Sequence, residues 1–169
     1  MTMTLDIKTQ VTYLGLRKDP PAGRDSRPWE HHAYNVLLTF EGRSFDFTYK
    51  QGTAHHREPE DAWRDRRSFA VPSYIKNEPR GTNPTTGLAQ YPYHIRKRFH
   101  EERDAAIVQG ALASIVSDIE LFDDYSDDEL AQEYEMLPSK IGEARAHVAR
   151  AKQFLGHHLT EFLNTYREE

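Results

Sequence analysis

Apolar and polar residues alternate in three N-terminal stretches. Gln10–Leu16 reads Gln-Val-Thr-Tyr-Leu-Gly-Leu, with Val11, Tyr13 and Gly15 alternating with Thr12, Leu14 and Leu16. A period of two is the signature of a strand. Tyr34, Val36, Leu38 and Phe40 fall on one face of a second strand, and Phe45, Phe47 and Tyr49 repeat the pattern in a third. Glu41-Gly42-Arg43 supplies the turn between them, with Gly42 free to take a positive φ. Strands are therefore expected at about residues 10–17, 33–41 and 43–50. Two strands alone are marginal, so the first joins the hairpin as an antiparallel meander. One face of that sheet then needs helices to cover it.

The period changes after residue 104. Val108, Leu112, Ile115, Ile119 and Phe122 form a helical stripe that predicts a helix over 104–122. Ser126 with Glu129 reads as a capping box, and Asp127 and Asp128 suit the positive end of a helix. That second helix is expected over 127–136, with Leu130, Tyr134 and Leu137 inward and Pro138 stopping it. A third helix over 140–155 buries Ile141, Ala144, Val148, Ala151 and Leu155, with Gly156 as the residue past its end. A short fourth, 158–166, docks through Leu159, Phe162 and Leu163. The proline-rich stretch 19–28 is a loop. Residues 55–103 lose regular pattern and predict a long inserted loop, with a short helix near Pro59–Arg64 and enough aromatic residues to pack in part. The expected fold is α+β. A three-stranded meander (1–54) packs on a bundle of about four helices (104–169), with the insert between, in one domain spanning 1–169. Phe40, Phe47, Val108, Leu112, Ile115, Val148 and Leu155 form its predicted core.

Composition narrows the chemistry. The chain has 169 residues, enough to bury a core without staples. It has no cysteine, which removes disulfides, thiolate metal sites and a Cys nucleophile. Met1–Lys8 carries no apolar stretch of the signal-peptide kind, and the longest apolar runs fall short of the roughly 18 residues of a membrane span. The expectation is a cytoplasmic protein. Residues 1–54 carry 7 Lys/Arg against 6 Asp/Glu, residues 55–103 carry 10 against 7, and residues 104–169 carry 5 against 14. The respective nets of +1, +3 and −9 concentrate negative charge in the helical end.

Nine histidines invite a metal, but the pairs His31-His32, His55-His56 and His157-His158 are adjacent residues whose side chains diverge. No His-Glu-x-x-His arrangement occurs, and no metal or other cofactor is expected. His55 is the best candidate for an enzymatic base or ligand at a strand end. No Gly-x-Ser-x-Gly, phosphate-binding glycine loop or dinucleotide fingerprint is present, so a non-enzymatic role is expected. Arg96, Lys97 and Arg98, beside Tyr91, Tyr93 and Phe99, are candidate nucleic-acid contacts. The second and third helices have helix-turn-helix spacing, with Lys140, Arg145, Arg150 and Lys152 available for phosphate. The strongest feature is acidic. Asp118, Glu120, Asp123, Asp124, Asp127, Asp128, Glu129, Glu133 and Glu135 follow one another with no Lys or Arg between. Such a run repels itself unless a cation or a basic partner faces it, and it is the candidate partner-binding surface.

Several pieces together carry a resemblance. They are Tyr13-Leu14-Gly15 followed by Arg17-Lys18-Asp19, the strand Tyr34–Phe40, then Gly42-Arg43, Phe47 and Gly52-Thr53-Ala54-His55. Further on come Ser114 with Ser117-Asp118, the acidic second helix and Phe154-Leu155-Gly156. The layout resembles small uncharacterised proteins encoded by tailed phages and prophages, over roughly residues 10–56 and 105–165. Two departures stand out: an insert of about 47 residues before the first long helix, and Met136-Leu137-Pro138 where such proteins often show Gly-Tyr-Asp. The resemblance implies a mobile-element origin and no particular activity. Joined to the acidic run, it leads to an expected binding protein that inhibits or modulates a host defence complex through a basic partner. The alternatives are a DNA-binding accessory protein using the insert and third helix, and an enzyme centred on His55.

Overall fold

The computed structural model describes residues 5–19, 28–52, 58–59, 72–77, 81–82, 84–85 and 89–167. Three strands come first: β1 (Lys8–Asp19), β2 (Trp29–Phe40) and β3 (Arg43–Gly52). They form one antiparallel sheet in the order β1-β2-β3, the expected meander. Alternation shapes β2 as predicted: Tyr34, Val36, Leu38 and Phe40 are buried, while the residues between them are half-buried. The β2–β3 turn is tighter than expected. Glu41 and Gly42 both take positive φ, 50° and 76°, and β3 begins at Arg43. Two consecutive left-handed residues make a turn whose twist matches that of the flanking strands.

Within the predicted insert lie a short helix, α1 (Ser73–Asn77), and a two-stranded pair, β4 (Gly81–Thr82) with antiparallel β5 (Ala89–Gln90). The long helix α2 runs from Tyr93 to Asp124. Its start lies eleven residues before the predicted one, so the last part of the expected loop is helix. Pro92 explains the start: its carbonyl accepts from the amides of Ile95 and Arg96, and a proline just before a first turn is well tolerated. By length and composition alone α2 is long and apolar enough to cross a membrane, a test that buried core helices also pass, and 44% of its apolar stretch is buried inside the protein. After it come α3 (Asp127–Glu133), α4 (Pro138–Leu155), a 3₁₀ turn (Gly156–His158) and α5 (Leu159–Tyr166).

The α+β class stands, and the boundary between α3 and α4 moves as well. Helix α3 ends at Glu133, where Glu135 adopts φ 53° and the amides of Tyr134 and Met136 both bond to Leu130 O. Pro138 does not close that helix; it opens α4 at a position that needs no amide hydrogen. Consequently Tyr134 and Leu137, expected inside, are exposed, and only Leu130 of α3 is buried.

The chain divides into two compact units. The first comprises Met1–Thr12, Asn35–Thr48 and Val108–Glu169. Val36, Leu38, Phe40 and Phe45 of the hairpin are buried, and Phe40 and Phe45 meet Phe154, whose ring stacks on Phe45 with centroids 5.9 Å apart. Arg43 Nε donates to Phe154 O at 2.8 Å and ties the hairpin to the end of α4. Leu112, Ile115, Val148 and Leu155 are core as expected, but Phe47 and Val108 are only half-buried. On α2 the small residues Ala111 and Ala113 take core positions, while the fully enclosed Ile107 belongs to the second unit. The second unit comprises Tyr13–Tyr34 and Tyr49–Ile107. Its described core joins Ile75, Tyr91, Ile95 and Phe99, and Tyr91 Oη donates to Ile75 O at 3.2 Å.

Candidate functional site

The acidic run lies at the end of α2, on α3 and in the links that flank it. Its carboxylates are not all uncompensated, as the sequence alone implies. Arg167 Nε donates to Glu120 at 2.7 Å, Lys152 donates to Asp123, and Arg145 Nε donates to Asp127. Arg145 also donates to Phe122 O at 2.8 Å and to Tyr125 O at 2.9 Å, so one guanidinium satisfies two carbonyls at the end of α2. Glu129 turns back on its own helix, accepting from Ser126 N, while Glu129 N donates to Ser126 Oγ, both at 3.2 Å. This is the capping box the sequence predicts.

Asp118 lies 3.8 Å from His147. Burial raises the Asp118 carboxyl and lowers the His147 imidazole, with Arg150 adding to the second effect. Both shifts disfavour charge, so the contact is not a strong ion pair despite its geometry.

Four carboxylates remain with no ion pair among the described residues: Asp124, Asp128, Glu133 and Glu135. The link from α3 to α4 also exposes apolar side chains. Tyr134 is 48% and Leu137 64% exposed, and the rings of Tyr125 and Tyr134 meet edge-on with centroids 5.4 Å apart. The Tyr125 hydroxyl is held above its ordinary range, first by its hydrogen bond to Tyr134 and that residue's charge, then by the nearby charge of Glu133, with Asp124 a smaller contribution. The α2–α3–α4 corner thus carries a tyrosine pair, an exposed leucine in the link before α4 and, close in sequence, four carboxylates with no ion pair among the described residues. Sequence reasoning missed the apolar part because it placed Tyr134 and Leu137 inside. The usable signal was Pro138, which marks a helix start as readily as a stop.

The basic candidates are differently disposed. Arg96 Nη2 lies 3.1 Å from Glu58, which also meets His100 Nε2 at 2.7 Å. Lys97 lies 3.8 Å from Glu101, and Arg98 Nε donates to Glu102 at 3.1 Å with its guanidinium 3.9 Å above the Tyr74 ring. Tyr74 Oη donates to Glu102 at 2.6 Å. That bond, with help from Arg98, holds Glu102 below the usual carboxylate range, while burial and Glu102 push the Tyr74 phenol up. On α4, Lys140 lies 3.5 Å from Glu143, while Arg145 and Lys152 are held by Asp127 and Asp123. Each of these six cations therefore has a carboxylate at hand, which a phosphate would have to displace.

His55 lies outside the described residues. His31 is fully buried; its Nδ1 is 3.4 Å from Trp29 O, and its Nε2 has no hydrogen-bond partner among the described residues. The pair His157-His158 does not diverge as its spacing suggests: the ring centroids are 4.1 Å apart, and both histidines offer a nitrogen within 4.8 Å of a Glu41 oxygen. A cavity of about 410 Å³ is lined by Arg43, Ser44, Phe45, Asp46, Arg150, Gln153 and Phe154. Its lining includes no histidine to serve a nucleophile as base. Comparison of the chain with protein-family models, with curated proteins and with solved structures gave no match.

Proposed function

We propose that this chain is a small non-enzymatic binding protein that docks a basic protein surface through its α2–α3–α4 corner. One observation carries the reading: Asp124, Asp128, Glu133 and Glu135 lack cations among the described residues, in the same short stretch of chain that exposes Tyr134 and Leu137. Tyrosine is a favoured interface anchor, because it contributes a large rigid area and a polar tip. Carboxylates close to it in sequence speed encounter with a positive surface and discourage wrong partners. The resemblance to phage-encoded proteins makes a nucleic-acid-binding host defence complex, in a bacterial cytoplasm, the class of partner to test first. The DNA-binding alternative draws less support, because its cations Arg96, Lys97 and Arg98 each have a carboxylate within 4 Å.

The experiment is a capture from bacterial lysate with two variants alongside the wild type. One replaces Asp124, Asp128, Glu133 and Glu135 by Lys; the other replaces Tyr134 and Leu137 by Ala. The expected outcome is a basic protein held by the wild type and lost by both variants. With the purified partner, charge reversal should lower the association rate, and the Tyr134/Leu137 truncation should raise the dissociation rate, by roughly tenfold or more for a central anchor. Tight binding of the wild type to duplex DNA at physiological salt, abolished by Arg96, Lys97 and Arg98 to Ala, would establish the alternative instead.

A further inference from the structure

We propose that Glu41, His157 and His158 form a binding site for one divalent zinc-type metal ion. The three residues come from the β2–β3 turn and the 3₁₀ turn after α4, in the same compact unit. One donor atom from each lies within 4.8 Å of the other two. His158 Nε2 is 2.9 Å from Glu41 Oε1, and the two imidazole centroids are 4.1 Å apart. Two imidazoles and one carboxylate are a donor set that zinc accepts while keeping a fourth position open. Around a tetrahedral zinc with ligands at roughly 2.0–2.2 Å, donor atoms lie roughly 3.3–3.5 Å apart, so the Glu41–His158 pair would open by a few tenths of an ångström to admit the ion between them.

The surroundings fit this use. Glu161 Oε2 lies 3.6 Å from Nδ1 of the same His158 ring. That is beyond hydrogen-bond length, within the range of an ion pair. A carboxylate on Nδ1 leaves the Nε2 lone pair free and makes it a better ligand. The other oxygen of Glu41 faces Arg43 Nη2 at 3.7 Å, and Arg43 is itself anchored on Phe154 O. Glu41 would therefore coordinate through a single oxygen. Gly156, at φ 56°, starts the turn that carries both histidines, a conformation that glycine adopts without strain.

A second, independent observation concerns the backbone. Glu41 occupies the first position of the hairpin turn at φ 50°, where asparagine, aspartate or glycine is the favoured residue. Glu135 takes the same region at the end of α3, but of the two only Glu41 offers an oxygen to a histidine pair among the described residues. The side chain it supplies is the one that reaches His158.

The test uses the full chain without a His-tag. Calorimetric titration with zinc chloride should show one ion bound per chain. Cobalt(II), as a spectroscopic substitute, should give visible absorption that zinc then removes. His157→Ala and His158→Ala should each weaken zinc by about tenfold or more, whereas His94→Ala should leave it unchanged. Glu161→Gln, acting through the His158 ring, should also weaken it about tenfold. Glu41→Asn is the diagnostic variant, because asparagine suits the turn but is too short to reach the ion: its melting temperature should hold or rise while zinc binding falls. Glu41→Gln, which keeps a hydrogen bond to His158 and removes the ligating charge, should show the same loss. Failure to bind zinc, or binding that survives the His157, His158 and Glu41 substitutions, would overturn the proposal.

Discussion

His147 sits against the rings of Phe45 and Phe47, with centroids 5.3 and 5.6 Å from its own, and 3.8 Å from Asp118. Burial lowers its pKa from the ordinary 6.5, with Arg150 adding to the effect. The native state therefore favours neutral imidazole, and the unfolded chain takes up the proton first as pH falls. Stability from this site is fully present above about pH 6.5 and is lost as pH drops through the window below it. Asp118 works in the opposite sense, because its raised pKa lets the native state hold a proton that the unfolded chain has released. Its contribution is present at low pH and lost as pH rises through its folded pKa. Denaturant midpoints at pH 7.5, 6.5 and 5.5 should fall in that order for the wild type. His147→Gln should flatten the series; an equal slope in both proteins would show that another group titrates. None of this was legible in the sequence. The sequence shows His147 only as one of nine histidines, whereas the rings packed against it lie on β3, and only Arg150 shares its helix.

Helix α3 shows how much of an element can be read locally and where local reading ends. Its start was legible because the capping box is a four-residue motif, Ser126 to Glu129, that forms as predicted. Ser126→Ala should cost about 1 kcal/mol in denaturant unfolding. Its end was not legible, because the left-handed residue that terminates it is a glutamate, Glu135, rather than glycine or asparagine. At seven residues the helix is far too short to persist alone. It is held by Leu130, its only buried residue, and by the bond from Arg145 to Asp127. Leu130→Ala should cost about 2–5 kcal/mol and loosen the whole corner. Hydrogen exchange should then speed up in residues 127–136 before it does in α4. Arg145→Lys should be damaging too, by about 2 kcal/mol, because a lysine cannot replace the fork that meets Asp127 and two carbonyls together.

For the molecule as a whole, the sum of charge was legible and its pairing was not. The net of −9 over residues 104–169 follows from counting. That Arg167 would meet Glu120, 47 positions away, and Lys152 would meet Asp123, 29 away, depends on the tertiary fold. The α+β class, the strand order and most core positions were legible because the periods of two and 3.6 are strong in those segments. The start of α2 was not, since Tyr93–Arg103 is too polar and aromatic to show a clean stripe. Pairing also changes the salt prediction. Exposed unpaired charges are screened beyond about 8 Å at physiological ionic strength. Partner binding through Asp124, Asp128, Glu133 and Glu135 should therefore weaken steeply between 50 and about 300 mM salt, while the melting temperature changes little. A parallel collapse of the fold would mean that the paired carboxylates dominate.

The bond from Arg43 to Phe154 spans 111 positions, and it has a consequence for how the chain is made. The hairpin leaves the ribosome well before the helix that covers Phe40 and Phe45. At about 5–20 residues per second, its apolar face waits roughly 5–20 s for Phe154 to be synthesised. During that interval the newborn chain is a ready client for chaperones. Ribosomes stalled with Lys140 just outside the exit tunnel should carry hairpins that exchange their amide hydrogens freely. Chains released through Tyr166 should protect them.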